Sequence, residues 1–116
     1  MNNPTTYYTV GEICILTGVT RKTLFYYDRI DLLRPVRRTG AQKHKLYDNT
    51  SLEQLRQIIE YRDAGLQIAE IRQLVSDPEC SKKEILENAL KRITEQKNEK
   101  EKEIRRLQDM IAGLRQ

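Results

Sequence analysis

The chain has 116 residues, 33% of them charged and 38% hydrophobic, and a net charge of +4. A chain of this size holds one modest domain plus an extension, which excludes a large enzyme core, and no apolar run is long enough for a membrane span. The N-terminal run MNNPTTYY lacks the basic and apolar regions of a signal peptide, so a cytoplasmic protein with no membrane partner is expected.

The run TVGEICILTGVTRKTLFYYDRIDLL reads as two short helices joined by a tight turn, the unit that places a rod in the DNA major groove. Thr9 and Glu12 form a capping box for the first helix. Val10, Ile13 and Cys14 give it an apolar stripe, on which Cys14 packs as a small hydrophobe, and Gly18 supplies a left-handed stop. Thr20 is the N-cap of the second helix. Arg21 and Lys22 then occupy its first turn, with Leu24 and the aromatic group Phe25, Tyr26 and Tyr27 on the following turns. Cations disfavour a helix N-terminus, so their placement there asks for an outside anion. The other reading of Arg21 and Lys22 is a solvated first turn in an ordinary helical hairpin.

In LLRPVRRTGAQKHKLYDNT, Pro35 and Gly40 interrupt any helix, and Val36, Leu46 and Tyr47 support two short strands around a basic tip. Arg37, Arg38, Lys43, His44 and Lys45 cluster in this hairpin wing, a density that beside a groove-reading helix points to phosphate contacts. His44 has no Cys or second His at ligand spacing, which argues for a backbone contact or solvent exposure over a metal role.

Thr50 and Glu53 form a second capping box, and Leu52, Leu55, Ile58 and Ile59 give a third helix an apolar stripe that ends at Gly65. Ile68, Ile71, Leu74 and Val75 mark a short fourth helix that stops before Pro78. This pair supplies the apolar faces against which the helix-turn-helix packs. Asp77, Pro78 and Glu79 form a hinge, so residues 1–78 are expected as a DNA-binding domain and 79–116 as a dimerisation helix.

From Ser81, capped with Glu84, the chain runs without Gly or Pro to Ala112, about 45–50 Å of helix at the usual rise. Leu90, Lys97, Ile104 and Ile111 take the a positions of a heptad and Leu86, Ile93, Lys100, Leu107 and Leu114 the d positions, a coiled-coil seam that predicts a homodimer. The seam's midpoint falls at Lys100. An antiparallel pair therefore gathers Lys97 and Lys100 at its centre, within reach of Glu101 and Glu103, whereas a parallel pair stacks each lysine on itself at a cost of order 1 kcal/mol or more. Lysine stems that snorkel leave the parallel arrangement open.

Residues 1–50 hold 8 Lys and Arg against 4 Asp and Glu, residues 51–78 hold 3 against 5, and residues 79–116 hold 10 against 8. The basic surplus thus sits on the helix-turn-helix half, where it supplies salt-sensitive nucleic-acid affinity. No Ser/His/Asp set, Cys/His pair with an orienting acid, phosphate-cradling Gly loop or metal cluster points to catalysis, and no cofactor is expected. The remaining classes are a dimeric DNA-binding regulator and a coiled-coil interaction adaptor whose winged head docks on protein.

The order helix-turn-helix, basic wing, second helical pair and long dimer helix resembles that of the MerR family of bacterial transcription regulators. YTVGEICILTGVTRKTLFYYDRIDLLRP resembles its N-terminal signature, RRTGAQKHKLYD its wing, and SLEQLRQIIEYRDAGLQIAEIRQLV its second helical pair. The resemblance implies a mostly α fold with a winged helix-turn-helix and an antiparallel coiled-coil dimer. It also implies a near-palindromic promoter operator and regulation by distorting the promoter spacer for RNA polymerase. It assigns DNA contact to Thr20, Arg21, Lys22, Tyr26, Tyr27, Arg37 and Arg38, with Lys43, His44, Lys45 and Tyr47 of the wing beside them. Phe25 stands where the family often has a basic residue, and Lys43, His44 and Lys45 replace the wing's usual Gly-Tyr-Arg element. Members of the family usually continue past the dimer helix into a metal-binding loop or ligand-binding domain, so the effector is not legible in these residues. Cys80 lies where the metal sensors place one thiolate, without their partner cysteines. Metal sensing, thiol-based redox sensing and an inert hinge cysteine all remain open for it.

Overall fold

The computed structural model describes residues 5–42 and 44–114. Lys43 therefore lies outside the described residues. The chain divides after Ser76 into two compact units. The first contains β1 (Tyr8–Thr9), α1 (Val10–Thr17), α2 (Arg21–Arg29), β2 (Arg37–Thr39), β3 (His44–Tyr47), α3 (Asn49–Asp63) and α4 (Ile68–Ser76); the second is α5 (Lys82–Gly113).

Local chemistry sets the start of each helix. The Thr9 hydroxyl accepts from the Glu12 amide at 3.2 Å while the Thr9 amide donates to the Glu12 carboxylate at 3.1 Å, which closes the expected capping box of α1. Gly18 ends α1 at φ 82°, a left-handed conformation that a side chain would strain. Two residues later Thr20 caps α2 by accepting from the Thr23 amide at 3.1 Å. The cap of α3 corrects the sequence reading: Asp48, not Thr50, accepts from Ser51 at 2.8 Å, because a carboxylate is the stronger acceptor and two more residues are wound into the helix.

The wing is a three-stranded antiparallel sheet in the order β1-β3-β2, rather than a lone hairpin. Tyr8 opposes Tyr47 and Thr9 opposes Leu46, so the two residues before α1 pair with β3, and the Tyr8 hydroxyl donates to Asn49 at 2.6 Å. Across β2 and β3, Arg37 opposes Leu46, Arg38 opposes Lys45 and Thr39 opposes His44.

One core joins these elements. Ile13 of α1, Leu24 of α2, Tyr47 of β3, Leu55 and Ile58 of α3 and Ile71 of α4 are fully buried, with Tyr27 and Leu32 beside them. Cys14 is half-buried against this cluster. Behind α2 the chain turns through Asp31 at φ 58°, and the Leu32 amide donates back to the Tyr27 carbonyl at 2.9 Å. Arg72 of α4 reaches this turn and donates to the Ile30 carbonyl at 2.6 Å and the Asp31 carbonyl at 3.2 Å. The second helical pair therefore supplies hydrogen bonds to the end of α2 as well as apolar surface.

In the second unit Ser81 caps α5 by accepting from the Glu84 amide. The helix runs 32 residues, about 48 Å at the usual rise. Lys97 pairs with Glu101 at 3.7 Å and Lys100 with Glu103 at 3.0 Å, each within the helix. Leu86, Leu90, Ile104, Leu107, Ile111 and Leu114 are exposed along it, as is Met110, and Ile93 is half-buried. No helix among the described residues is long and apolar enough to cross a membrane.

The Tyr47 hydroxyl is buried without a hydrogen-bond partner among the described residues. A buried unpaired hydroxyl costs stability, so Tyr47→Phe is expected to leave the fold unchanged or stabilise it by about 1 kcal/mol. Thermal unfolding checks this, and a melting temperature well below the parent's would mean that the hydroxyl is satisfied.

Candidate nucleic-acid interface

The exposed start of α2 and the wing enclose a cleft of about 550 Å³ lined by Thr9, Val10, Gly11, Arg21, Phe25, Gln42, His44, Lys45 and Leu46. Arg21 and Lys22 project from the first turn of α2, and neither has a carboxylate partner among the described residues. The Arg21 guanidinium lies over Gly11, where an added Cβ would come within 3.3 Å of it. Thr20 is exposed beside them, but its hydroxyl is committed to capping α2. Tyr26 is exposed, with the Arg29 guanidinium 5.6 Å from its ring centroid.

The wing cations fall into two groups. Opposed residues of a β-pair share a face and neighbours along a strand alternate, so Arg38 and Lys45 point one way and Arg37 the other. Arg37 is exposed, with its guanidinium 5.2 Å from the Tyr7 ring centroid. Arg38 and Lys45 converge instead on Asp28, in the last turn of α2. The Arg38 guanidinium donates to both Asp28 oxygens at 3.0 Å, and the Lys45 ammonium lies 2.9 Å from the same carboxylate. Arg34 adds a third cation, 3.7 Å from Asp28 and 3.0 Å from Asp31. Phe25 packs on the far side of Lys45, whose ammonium sits 4.1 Å from the ring centroid. Where the resemblance led one to expect a cation on α2, this chain has an aromatic ring that receives a cation from the wing.

Asp28 is 6% exposed. Burial alone would raise its pKa, but the hydrogen bonds and charges of Lys45 and Arg38 outweigh it and hold the carboxyl below its ordinary value. Burial, with the nearby Asp28 charge, pushes the Tyr47 phenol up to about 12.

Two residues expected at the DNA surface belong elsewhere. Tyr47 is 0% exposed and Tyr27 2%, so both are core side chains. Aromatic residue type alone does not separate a phosphate ligand from a core ring; position does, since Tyr27 lies three residues after the buried Leu24 on the same helix face and Tyr47 ends a strand covered by α1. Arg38 and Lys45 are likewise occupied by Asp28. His44 is exposed at the head of β3. Cys80 is half-buried with a free thiol, and among the described residues no group of three His, Cys, Asp or Glu side chains is placed to hold a metal ion. Sequence reasoning did not single out Asp28, Arg34 or Arg72. An acid in the last turn of a helix, unfavourable to the helix dipole, was the available signal for the first.

Residues 8–77 match the family described as MerR HTH family regulatory protein, and residues 52–116 match that described as MerR, DNA binding. The chain belongs to the MerR family. It is 41% identical over 71 residues to the HTH-type transcriptional activator TipA of Streptomyces coelicolor, covering 61% of this chain and 28% of TipA. The crystal structure of MtaN, the N-terminus of the Bacillus subtilis multidrug transporter activator, aligns with a TM-score of 0.78 at 27% identity, over 90% of this chain and 97% of that one. A cryo-EM structure of an EcmrR–DNA complex aligns with a TM-score of 0.80 at 27% identity, over 90% of this chain and 38% of EcmrR. The chain spans about a third of the length of the curated relatives it matches, such as TipA, Mta and NolA. The family is one of regulatory proteins, and TipA and Mta are transcriptional activators, not enzymes.

The depressed Asp28 pKa links the head's stability to pH. A carboxyl whose folded pKa lies below its unfolded value, about 4, stabilises the fold above that value and ceases to as pH falls through the folded pKa. At pH 7 Asp28→Asn is expected to lower the urea midpoint, and the gap from the parent should close on acidification below about pH 4. A gap of constant size would show that the ionised carboxylate is not the stabilising form.

Proposed function

We propose that this MerR-family chain binds double-stranded promoter DNA as a homodimer, with α2 of each protomer in a major groove and the wing along the adjacent backbone. The observation that carries this reading is the pair Arg21 and Lys22 at the first turn of α2, against the helix dipole and without an internal anion among the described residues, beside a cleft that the wing completes. Tyr26, Arg37 and His44 extend the exposed polar surface around them. The solved DNA complex of EcmrR, similar in fold and sequence, supports the same reading.

The dimer rests on α5. Six exposed large apolar side chains at heptad positions on a long helix leave a seam that a second copy of the same helix fits. Antiparallel pairing brings the Lys97–Glu101 and Lys100–Glu103 pairs of both protomers together at the centre and puts the two heads at opposite ends of the pair. Heads about one duplex turn apart read successive major grooves of a near-palindromic operator. Distortion of the promoter spacer, so that RNA polymerase engages both promoter elements, is the regulatory mode that fits such a dimer.

Gel-shift titrations over a salt series test the interface. Arg37→Ala should weaken binding to every duplex alike and reduce the salt slope by about one unit, and an unchanged slope would remove Arg37 from the phosphate contacts. Arg21→Ala should cost roughly 1–3 kcal/mol and relax preference at one base pair. Binding that did not fall with salt would favour a protein-docking adaptor.

Cross-linking tests orientation. In a background lacking Cys14 and Cys80, a chain carrying both Ile93→Cys and Leu107→Cys should form disulfide-linked dimers, because the two positions lie equally far from Lys100. Efficient linkage by Ile93→Cys alone would establish a parallel pair instead.

A further inference from the structure

We infer that Asp28 is a positioning residue of the DNA interface, a buried clamp that fixes the wing against α2 and withdraws Arg38 and Lys45 from the phosphate-binding set. The inference rests on the proposed DNA binding and adds a division of labour among the basic residues. Asp28 sits in the last turn of α2, where a negative charge opposes the helix dipole, so it gains nothing from its own helix. It is compensated from elsewhere. Arg38 comes from β2 and Lys45 from β3, opposite each other in register, and both close on one carboxylate at 2.9–3.0 Å. Arg34, just after the turn that follows α2, joins the same group.

Lys45 is held on two sides, by the carboxylate and by the Phe25 ring, and its side chain is 21% exposed. A phosphate would have to compete with a carboxylate already within hydrogen-bond distance of the ammonium. Arg38 spends one guanidinium nitrogen on both Asp28 oxygens. Arg21, Lys22 and Arg37 carry no such internal counter-charge among the described residues. Only these last three are therefore expected to release counterions from DNA on binding, and the first two to hold the wing at the angle that lets Arg37 and His44 reach the backbone.

The salt slope separates the two roles, because it counts phosphate contacts and is insensitive to the fraction of protein that is folded. Measured on one duplex, Arg38→Ala and Lys45→Ala should each weaken binding with no change in slope, whereas Arg37→Ala should reduce the slope by about one unit. Asp28→Asn releases both cations and should steepen the slope by about one to two units, while the preference for operator over random duplex falls; Asp28→Glu should restore the parent's slope. A slope reduced by about one in Arg38→Ala or Lys45→Ala, or unchanged in Asp28→Asn, overturns the inference. Hydrogen exchange without DNA reads the clamp independently. Asp28→Asn should speed amide exchange in residues 37–39 and 44–47 by a larger factor than in α3, and wing rates raised no more than those of α3 would overturn the clamp. Salt-independent binding by the parent would count against the proposed function alone, since the exchange comparison does not involve DNA.

Discussion

A single carboxylate organises the head. A wing of two short strands and a two-residue third strand cannot hold itself in place by ladder hydrogen bonds alone, and its outer residues are polar. The Asp28 carboxylate, itself buried, ties both β2 and β3 to the recognition helix through opposite charges at close range. Such a group is costly to bury unless all its partners are present. The geometry is accordingly all-or-none: helix, turn and sheet must arrive together for the charge to be satisfied.

The recognition helix is nine residues long, too short to be stable alone, and it is secured by different means at each end. At its start the Thr20 hydroxyl caps the first turn and leaves Arg21 and Lys22 to solvent. Along its inner face Leu24 and Tyr27 enter the core. At its end the chain reverses through Asp31, and Arg72 satisfies two of the carbonyls. The outward face is thus left to Arg21, Lys22, Phe25 and Tyr26, whose positions are set from behind rather than by one another.

Much of this was legible in the residues. The capping box at Thr9 and Glu12, the glycine stop at Gly18 and the cap at Thr20 are local chemistry, and local chemistry is what a sequence displays directly. The long helix from Ser81 and its heptads are legible for the same reason: periodicity over many turns is hard to mistake. What escaped depends on contacts far apart along the chain. The pairing of Tyr8 and Thr9 with β3 leaves no mark in two residues, and the burial of Tyr47 depends on the packing of α1 over β3. Arg38 and Lys45 were read by composition as members of a basic cluster. Their separation from Arg37 depends on the strand register, and their partner lies on another element.

The bonds from Arg72 to the end of α2 bear on how this head tolerates change in length. The guanidinium reaches the Ile30 and Asp31 carbonyls from one face of α4, at a fixed number of residues after the helix begins at Ile68. One residue added or lost between Ile68 and Arg72 would turn the side chain by about 100° around the helix axis and carry it off both carbonyls. Insertions and deletions in that stretch are therefore barred by geometry even where the altered residues face solvent. The reading head therefore has a fixed internal gauge, set by the distance along α4 from Ile68 to Arg72.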